Sequence, residues 1–252
     1  CEKGRQWSLA LHIFESAKHL ERDTIIFNAA ISACEKGGLW TAALHVFAQL
    51  RAERLRPDRF SYNALIYACR QAGAWEIAFA AFDDMRRLSV PRDAITYNSL
   101  ICSCERGGRW ELAVAVLSEL ALSGTCVPDR ITYGAAINAC AHGGAPVVAL
   151  QLLEDMQGRR IDPDVIVMTL AISACKATGM WEKAVGLFAQ MQARGPRPDA
   201  FALSAAIGAC KHETRWAEAL DLFWSSVSGP CGIAPNVVVY GAVFSVLEWA
   251  GD

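Results

Sequence analysis

The stretch Asn28-Ala-Ala-Ile-Ser-Ala-Cys-Glu-Lys-Gly-Gly-Leu-Trp40 constrains the fold more than any other, because the chain rewrites it five times. The copies run from Asn63 to Trp75, Asn98 to Trp110, Gly134 to Pro146, Thr169 to Trp181 and Ser204 to Trp216, each beginning 35 or 36 residues after the last. A period of this size marks a stack of supersecondary units that bury a core only between neighbours. It predicts one solenoid over residues 1–252, with no internal domain boundary.

Within the unit 24–58, Phe27, Ala30, Ile31 and Cys34 recur at helical spacing, and so do Trp40, Ala43, Leu44 and Phe47, on either side of Gly37-Gly38. Each unit therefore reads as two amphipathic helices in a hairpin. A Pro-Asp pair such as Pro57-Asp58 stops the second helix and offers a cap to the next. The pattern returns in units 59–93, 94–129, 130–164, 165–199 and 200–236, with a partial unit at each end, 1–23 and 237–252. Short turns make consecutive helices antiparallel, so the expected fold is all-α: an α-α superhelix of about six complete hairpins plus half units. First helices are expected on the concave side.

Six of the ten cysteines, Cys34, Cys69, Cys104, Cys140, Cys175 and Cys210, share one register position. They read as a small buried hydrophobe used repeatedly, not as disulfide pairs or metal ligands. The tryptophans read as packing residues too. The run from Phe223 to Leu247 is broken by Gly229-Pro230 and Pro235-Asn236, a poor membrane span, so a soluble chain is expected. The opening Cys1-Glu2-Lys3-Gly4 copies Cys34-Glu35-Lys36-Gly37 from mid-unit, so the sequence is expected to be part of a longer one with its targeting region elsewhere. The five histidines are scattered, and no hydrolase, metalloprotease, phosphate-loop or deaminase motif is found, so neither catalysis nor a cofactor is expected.

The form of each unit carries more: an opening such as Ile95-Thr-Tyr-Asn-Ser-Leu-Ile101, a middle such as Gly73-Ala-Trp-Glu-Ile-Ala78, and the closing Pro57-Asp58. Here the chain resembles the pentatricopeptide repeat family, over its full length and in six units. The resemblance implies sequence-specific binding of single-stranded RNA in a chloroplast or mitochondrion, with one nucleotide per unit and the strand running 5′ to 3′ along the repeats. In that family the fifth and last residues of a unit select the base. By position, Asn28 with Asp58, Asn63 with Asp93, and Asn98 with Asp129 match the pair for uracil; Thr169 with Asp199 matches guanine, and Ser204 with Asn236 matches adenine. Gly134 with Asp164 brings no fifth side chain, and the implied site is UUUNGA.

The resemblance places the second residues, Ile25, Phe60, Ile95, Ile131, Ile166, Phe201 and Val238, between bases; on the residues alone they could equally be buried between units. A basic or potentially basic residue ends each first helix, Lys36, Arg70, Arg106, His142, Lys176 and Lys211, loosely matching the family's phosphate-facing region. Beside the family case, an asparagine recurring in first helices is notable, since its side chain competes with the backbone yet suits a base edge as donor and acceptor. The net charge of −2 leaves a second reading open, a scaffold that binds a protein or peptide on the same surface.

Overall fold

The computed structural model describes residues 6–16, 23–124, 126–213, 215–229 and 232–250. It forms two compact units, Cys1–Pro128 and Asp129–Asp252. Among the described residues of the first, the helices are α1 (Gln6–Ser16), α2 (Thr24–Lys36), α3 (Trp40–Ala52), α4 (Arg59–Ala72), α5 (Trp75–Arg87), α6 (Ala94–Arg106) and α7 (Trp110–Ser123). The second holds α8 (Arg130–His142), α9 (Pro146–Gly158), α10 (Val165–Ala177), α11 (Trp181–Arg194), α12 (Ala200–Ala209), α13 (Trp216–Ser228) and α14 (Val237–Ala250), with a 3₁₀ turn at Cys210–Glu213. Among the described residues every element but the 3₁₀ turn is an α-helix, and none of these helices is long and apolar enough to cross a membrane.

Aspartate sets where the first helices from α4 to α12 begin. Asp58, Asp93, Asp129, Asp164 and Asp199 all hold extended backbone and accept the N–H of the third helical residue on a carboxylate oxygen, satisfying a donor that the helix itself cannot. The hairpin then turns at a glycine pair. In Gly107-Gly108 the second glycine has φ +67°, where a side chain would be strained, while the first has no room for one because the Trp75 ring fills the space. Gly37 is covered in the same way, with the Trp7 ring 2.9 Å from where a Cβ would stand.

In each unit the first helices stack directly, α2 on α4 on α6 and α8 on α10 on α12 on α14, while α3, α5, α9, α11 and α13 each pack against their own first helix and the next one. The first-helix stripe is buried as the spacing predicts: Phe27, Ala30, Ile31 and Cys34 are at most 3% exposed. The six cysteines in register are all fully buried, and desolvation pushes the thiols of Cys34, Cys69 and Cys210 up to about 11 and that of Cys104 to about 12. Such thiols stay protonated at neutral pH and act as small apolar groups.

The second helices depart from expectation. Their buried stripe is Ala43, Val46, Phe47 and Leu50, repeated as Ala78, Ala81, Phe82 and Met85 and as Ala113, Val116, Leu117 and Leu120. Trp40, Trp75, Trp110 and Trp181 are only half-buried, and Trp216 is 48% exposed, so the tryptophans are not core residues. Trp75 lies at the flank, where the first turn of the helix passes the next hairpin: it covers Gly107 and carries the Arg109 guanidinium 4.9 Å above its ring. At the end of the described chain, the repeat register predicts a buried stripe of Tyr240, Val243, Phe244 and Leu247 on α14; Val243 is buried, with Val239 and Val246, while Tyr240, Phe244 and Leu247 are exposed. In the other hairpins a second helix covers the face that carries those three.

Candidate nucleic-acid interface

The face of the first helices away from the second helices carries a different stripe. In the first unit it forms an open groove of about 760 Å³, with Ile25, Phe60 and Ile95 as ribs and the side chains of Asn28, Asp58, Asn63 and Asp93 between them. Ala29, Ser32, Ala64 and Tyr67 make its floor. All seven second residues are exposed, from 45% at Val238 to 74% at Ile25, although each is apolar and could have been packed. Exposed large apolar groups at every hairpin form a surface pattern that folding alone does not require.

In two pairs of the first unit the fifth and last residues meet across a hairpin junction. The Asn28 amide Nδ2 donates to Asp58 Oδ1 (3.1 Å), and its Oδ1 accepts from the Ser61 hydroxyl (2.5 Å). Asn63 repeats this, with Nδ2 donating to Asp93 Oδ1 (3.2 Å) and Oδ1 accepting from the Thr96 hydroxyl (2.7 Å). Asn98 is half-buried on α6, and Asp129 caps α8 through the Thr132 backbone N–H at 2.9 Å.

In the second unit the pairing changes. The Thr169 hydroxyl donates to the Val165 carbonyl (2.7 Å), and Asp199 caps α12. Ser204 is buried, while the Asn236 amide oxygen accepts the N–H groups of Val238 and Val239, both at 3.1 Å. Gly134 faces Val167, and Asp164 caps α10.

Partial burial would raise the Asp58 carboxyl, but hydrogen bonds from Ser61 and Asn28 outweigh it and hold the group below the usual carboxylate range. Asp93 is held down likewise, against the same burial, by Thr96, Asn63 and the Arg59 guanidinium 3.5 Å from its Oδ2. A carboxyl lowered in the folded state stabilises fully above its unfolded value, about pH 4, and that contribution is lost as pH falls through the folded value. Wild-type helicity is therefore expected to be level from pH 8 to 5 and to drop below about pH 4, while Asp58→Asn and Asp93→Asn, already lacking the charge, lose less in the same acid titration followed by circular dichroism.

The basic residues separate into two sets that the sequence had merged. Arg70, Lys176 and Lys211 occupy the register position of Glu35, which lines the groove; Lys36, Arg106 and His142 stand one residue on. Arg70 lies over the Tyr67 ring (5.1 Å), Lys211 Nζ donates to Ser245 (2.9 Å), and Lys176 runs along Gly208. Arg106 donates to the Gln71 carbonyl (3.2 Å), His142 Nδ1 lies 3.0 Å from the Asn138 carbonyl, and Lys36 is exposed. At two hairpins the groove position is acidic, Glu35 and Glu105, and burial raises the Glu35 carboxyl against the pull of Lys36. Among the described residues no three His, Cys, Asp or Glu side chains are grouped to hold a metal ion.

Comparison with known proteins agrees with this register. A model described as Pentatricopeptide repeat domain matches residues 13–71, one described as PPR repeat family matches 57–106, and one described as PPR repeat matches 95–125, 131–161 and 166–196. The last three segments each begin at the second residue of a unit. No curated protein sequence matches the chain. Among solved structures, the pentatricopeptide repeat protein PPR10 in complex with an 18-nt psaJ RNA element superposes with a TM-score of 0.84 at 18% identity, covering 100% of this chain and 36% of that one. A structure of PPR10 from maize gives 0.70 at 23% identity, over 96% and 36%. The nuclear proteinaceous RNase P 2 from A. thaliana gives 0.65 at 17% identity, over 73% and 41%. The chain thus spans about a third of the length of PPR10, and the likeness is one of fold. Repeat period, hairpin stacking and three matching family models lead to one conclusion: the chain belongs to the pentatricopeptide repeat family.

Proposed function

We propose that the groove binds single-stranded RNA and reads about one base per hairpin, with UUUNGA as the preferred sequence. The observation that carries this reading is the alternation of exposed apolar ribs with side-chain pairs whose outward hydrogen-bonding capacity differs from hairpin to hairpin. In the Asn28–Asp58 pair one amide N–H and the second carboxylate oxygen remain, a donor beside an acceptor, and Asn63–Asp93 repeats this with the Arg59 guanidinium 3.5 Å from that oxygen. Uracil offers the complement, a carbonyl beside an N–H. Thr169 has spent its only proton on Val165, so with Asp199 it presents two acceptors, which suit the N1–H and N2–H₂ donors of guanine. Asn236 has its oxygen engaged and keeps amide protons beside the Ser204 hydroxyl, a donor and an acceptor for the N1 and N6–H₂ of adenine. The ribs would stack on or wedge between bases, contacts that tolerate any base and so leave selection to the pairs.

PPR10 was solved with RNA, which supports the same use of the fold here. A place in organellar RNA processing, stability, splicing, editing or translation follows from the family resemblance, and one similar structure is of a protein described as nuclear.

Fluorescence anisotropy tests the reading, with a labelled strand containing UUUAGA against a scrambled strand of the same composition at two salt concentrations. Preference for UUUAGA is expected, with log affinity falling by roughly 0.7 per log unit of salt for each phosphate contact. In Asn63→Thr the second letter should shift from U toward G by about tenfold, because the amide donor gives way to a hydroxyl acceptor. Weak, salt-insensitive binding without preference would overturn the proposal and leave a scaffold for an extended peptide.

A further inference from the structure

The hydroxyl contributed by the next hairpin is not required by the helix that carries it. Ser61 and Thr96 sit at the third position of α4 and α6, where each also completes a reciprocal cap with Asp58 or Asp93. Yet α10 and α12 begin at the same kind of aspartate with Val167 and Ala202 at that position, and their caps close at 2.9 and 2.8 Å on the carboxylate alone. The presence of the hydroxyl tracks the identity of the fifth residue in the preceding unit. Asn28, Asn63 and Asn98 are followed by Ser61, Thr96 and Thr132, whereas Gly134, Thr169 and Ser204 are followed by Val167, Ala202 and Val239; the Thr132 hydroxyl donates to Asp129 Oδ1 (2.7 Å), so the bond to the amide is made at Ser61 and Thr96.

The hydrogen-bond inventory around Thr96 says what the hydroxyl does. Its oxygen accepts from the Asp93 backbone N–H (3.2 Å). Its one proton has two oxygens in reach, Asn63 Oδ1 at 2.7 Å and Asp93 Oδ1 at 2.9 Å. Asp93 Oδ1 is already served by the Thr96 backbone (3.0 Å) and by Asn63 Nδ2 (3.2 Å), and Asn63 Oδ1 is the nearer. The proton therefore goes to the amide oxygen. Ser61 stands to Asn28 in the same way, at 2.5 Å.

An asparagine amide can ordinarily accept as well as donate, and would then take the amino group of cytosine as readily as the carbonyl of uracil. The hydroxyl on its oxygen and the carboxylate on one N–H fix the orientation of the amide, with the oxygen turned to the hydroxyl and the remaining N–H left as the group it offers a base. We infer that Ser61 and Thr96 are specificity-determining positioning residues, which hold the preceding asparagine with its N–H offered to the base and so set uracil against cytosine. This rests on the proposal that the groove reads RNA.

The test replaces Thr96 by valine, the residue that α10 carries at this position, and by serine as the conservative control. In a randomised-RNA selection with the full chain, Thr96→Val is expected to lower the U-over-C ratio at the second letter by roughly three- to tenfold, as for loss of one hydrogen bond, with the other letters unchanged. Thr96→Ser is expected to keep the wild-type ratio. An unchanged ratio in Thr96→Val overturns the inference while the RNA reading stands, and absence of any preference in the wild type removes the reading itself. A measurement without RNA distinguishes the failures. The two Asn63 amide protons should be well separated and slow to exchange by NMR in wild type and Thr96→Ser, and should converge in Thr96→Val; if they do not converge, the hydroxyl does not hold the amide.

Discussion

Phe188→Ala should destabilise the second unit by about 3–5 kcal/mol, the usual cost of removing a fully buried aromatic side chain. Phe188 has no exposed surface on α11, which packs between α10 and α12, so the cavity opens where two hairpins share their core. Trp110→Ala removes a larger side chain, yet should cost only about 1–2 kcal/mol, because the ring is half-buried and solvent already holds part of its surface. Urea unfolding followed by circular dichroism makes the comparison, with the shift in midpoint read against the slope. Equal losses in the two variants would show that the tryptophan is buried as deeply as the phenylalanine.

Phe60→Ala should separate the other way, weakening RNA binding by about 1–3 kcal/mol, the value of one stacked base, while leaving unfolding unchanged. The ring is 63% exposed and lines the groove with Asn28 and Asn63, with the Arg59 guanidinium 5.2 Å from its centroid. Little of it is withdrawn from water on folding, so little is lost from stability by deleting it. Anisotropy titrations and thermal melts of the same preparation supply both readings. Lower melting temperature with unchanged affinity would assign Phe60 to packing.

The fold was legible because its core repeats: Phe27, Tyr62, Tyr97 and Tyr133 return at one register position, and all four are buried. Helical spacing also located the second helices, but not their rotation. A tryptophan at the start of an apolar stripe reads as its first member, and only the position of the neighbouring hairpin shows that Trp75 belongs to a seam and Phe82 to the core. The exposure of Ile25 and Phe60 was equally out of reach, since an apolar residue at a helix start fits a seam or a surface. Lys36 and Arg70 looked equivalent in sequence; one residue is about 100° around a helix, enough to move a charge off the groove. The roles of Ser61 and Thr96 were hidden by their more familiar one in the cap, although their alternation with Val167 and Ala202 was present in the sequence.

Two contacts straddle the point where one copy of the repeat gives way to the next: Asn28 leans on Ser61, and Trp75 covers Gly107. The period of the sequence and the period of the working parts are therefore out of phase. A cassette cut after Asp58 or Asp93 would carry an asparagine away from the hydroxyl that restrains it and a tryptophan away from the glycine that admits it. A joint inside the second helix, downstream of the tryptophan of one module and upstream of the aspartate of the next, separates the same partners, so hairpins exchanged there should keep their properties only where the two modules match in both contacts. A joint there leaves Asp58, Ser61 and α4 in one piece, and the residue to supply across it is the matching asparagine.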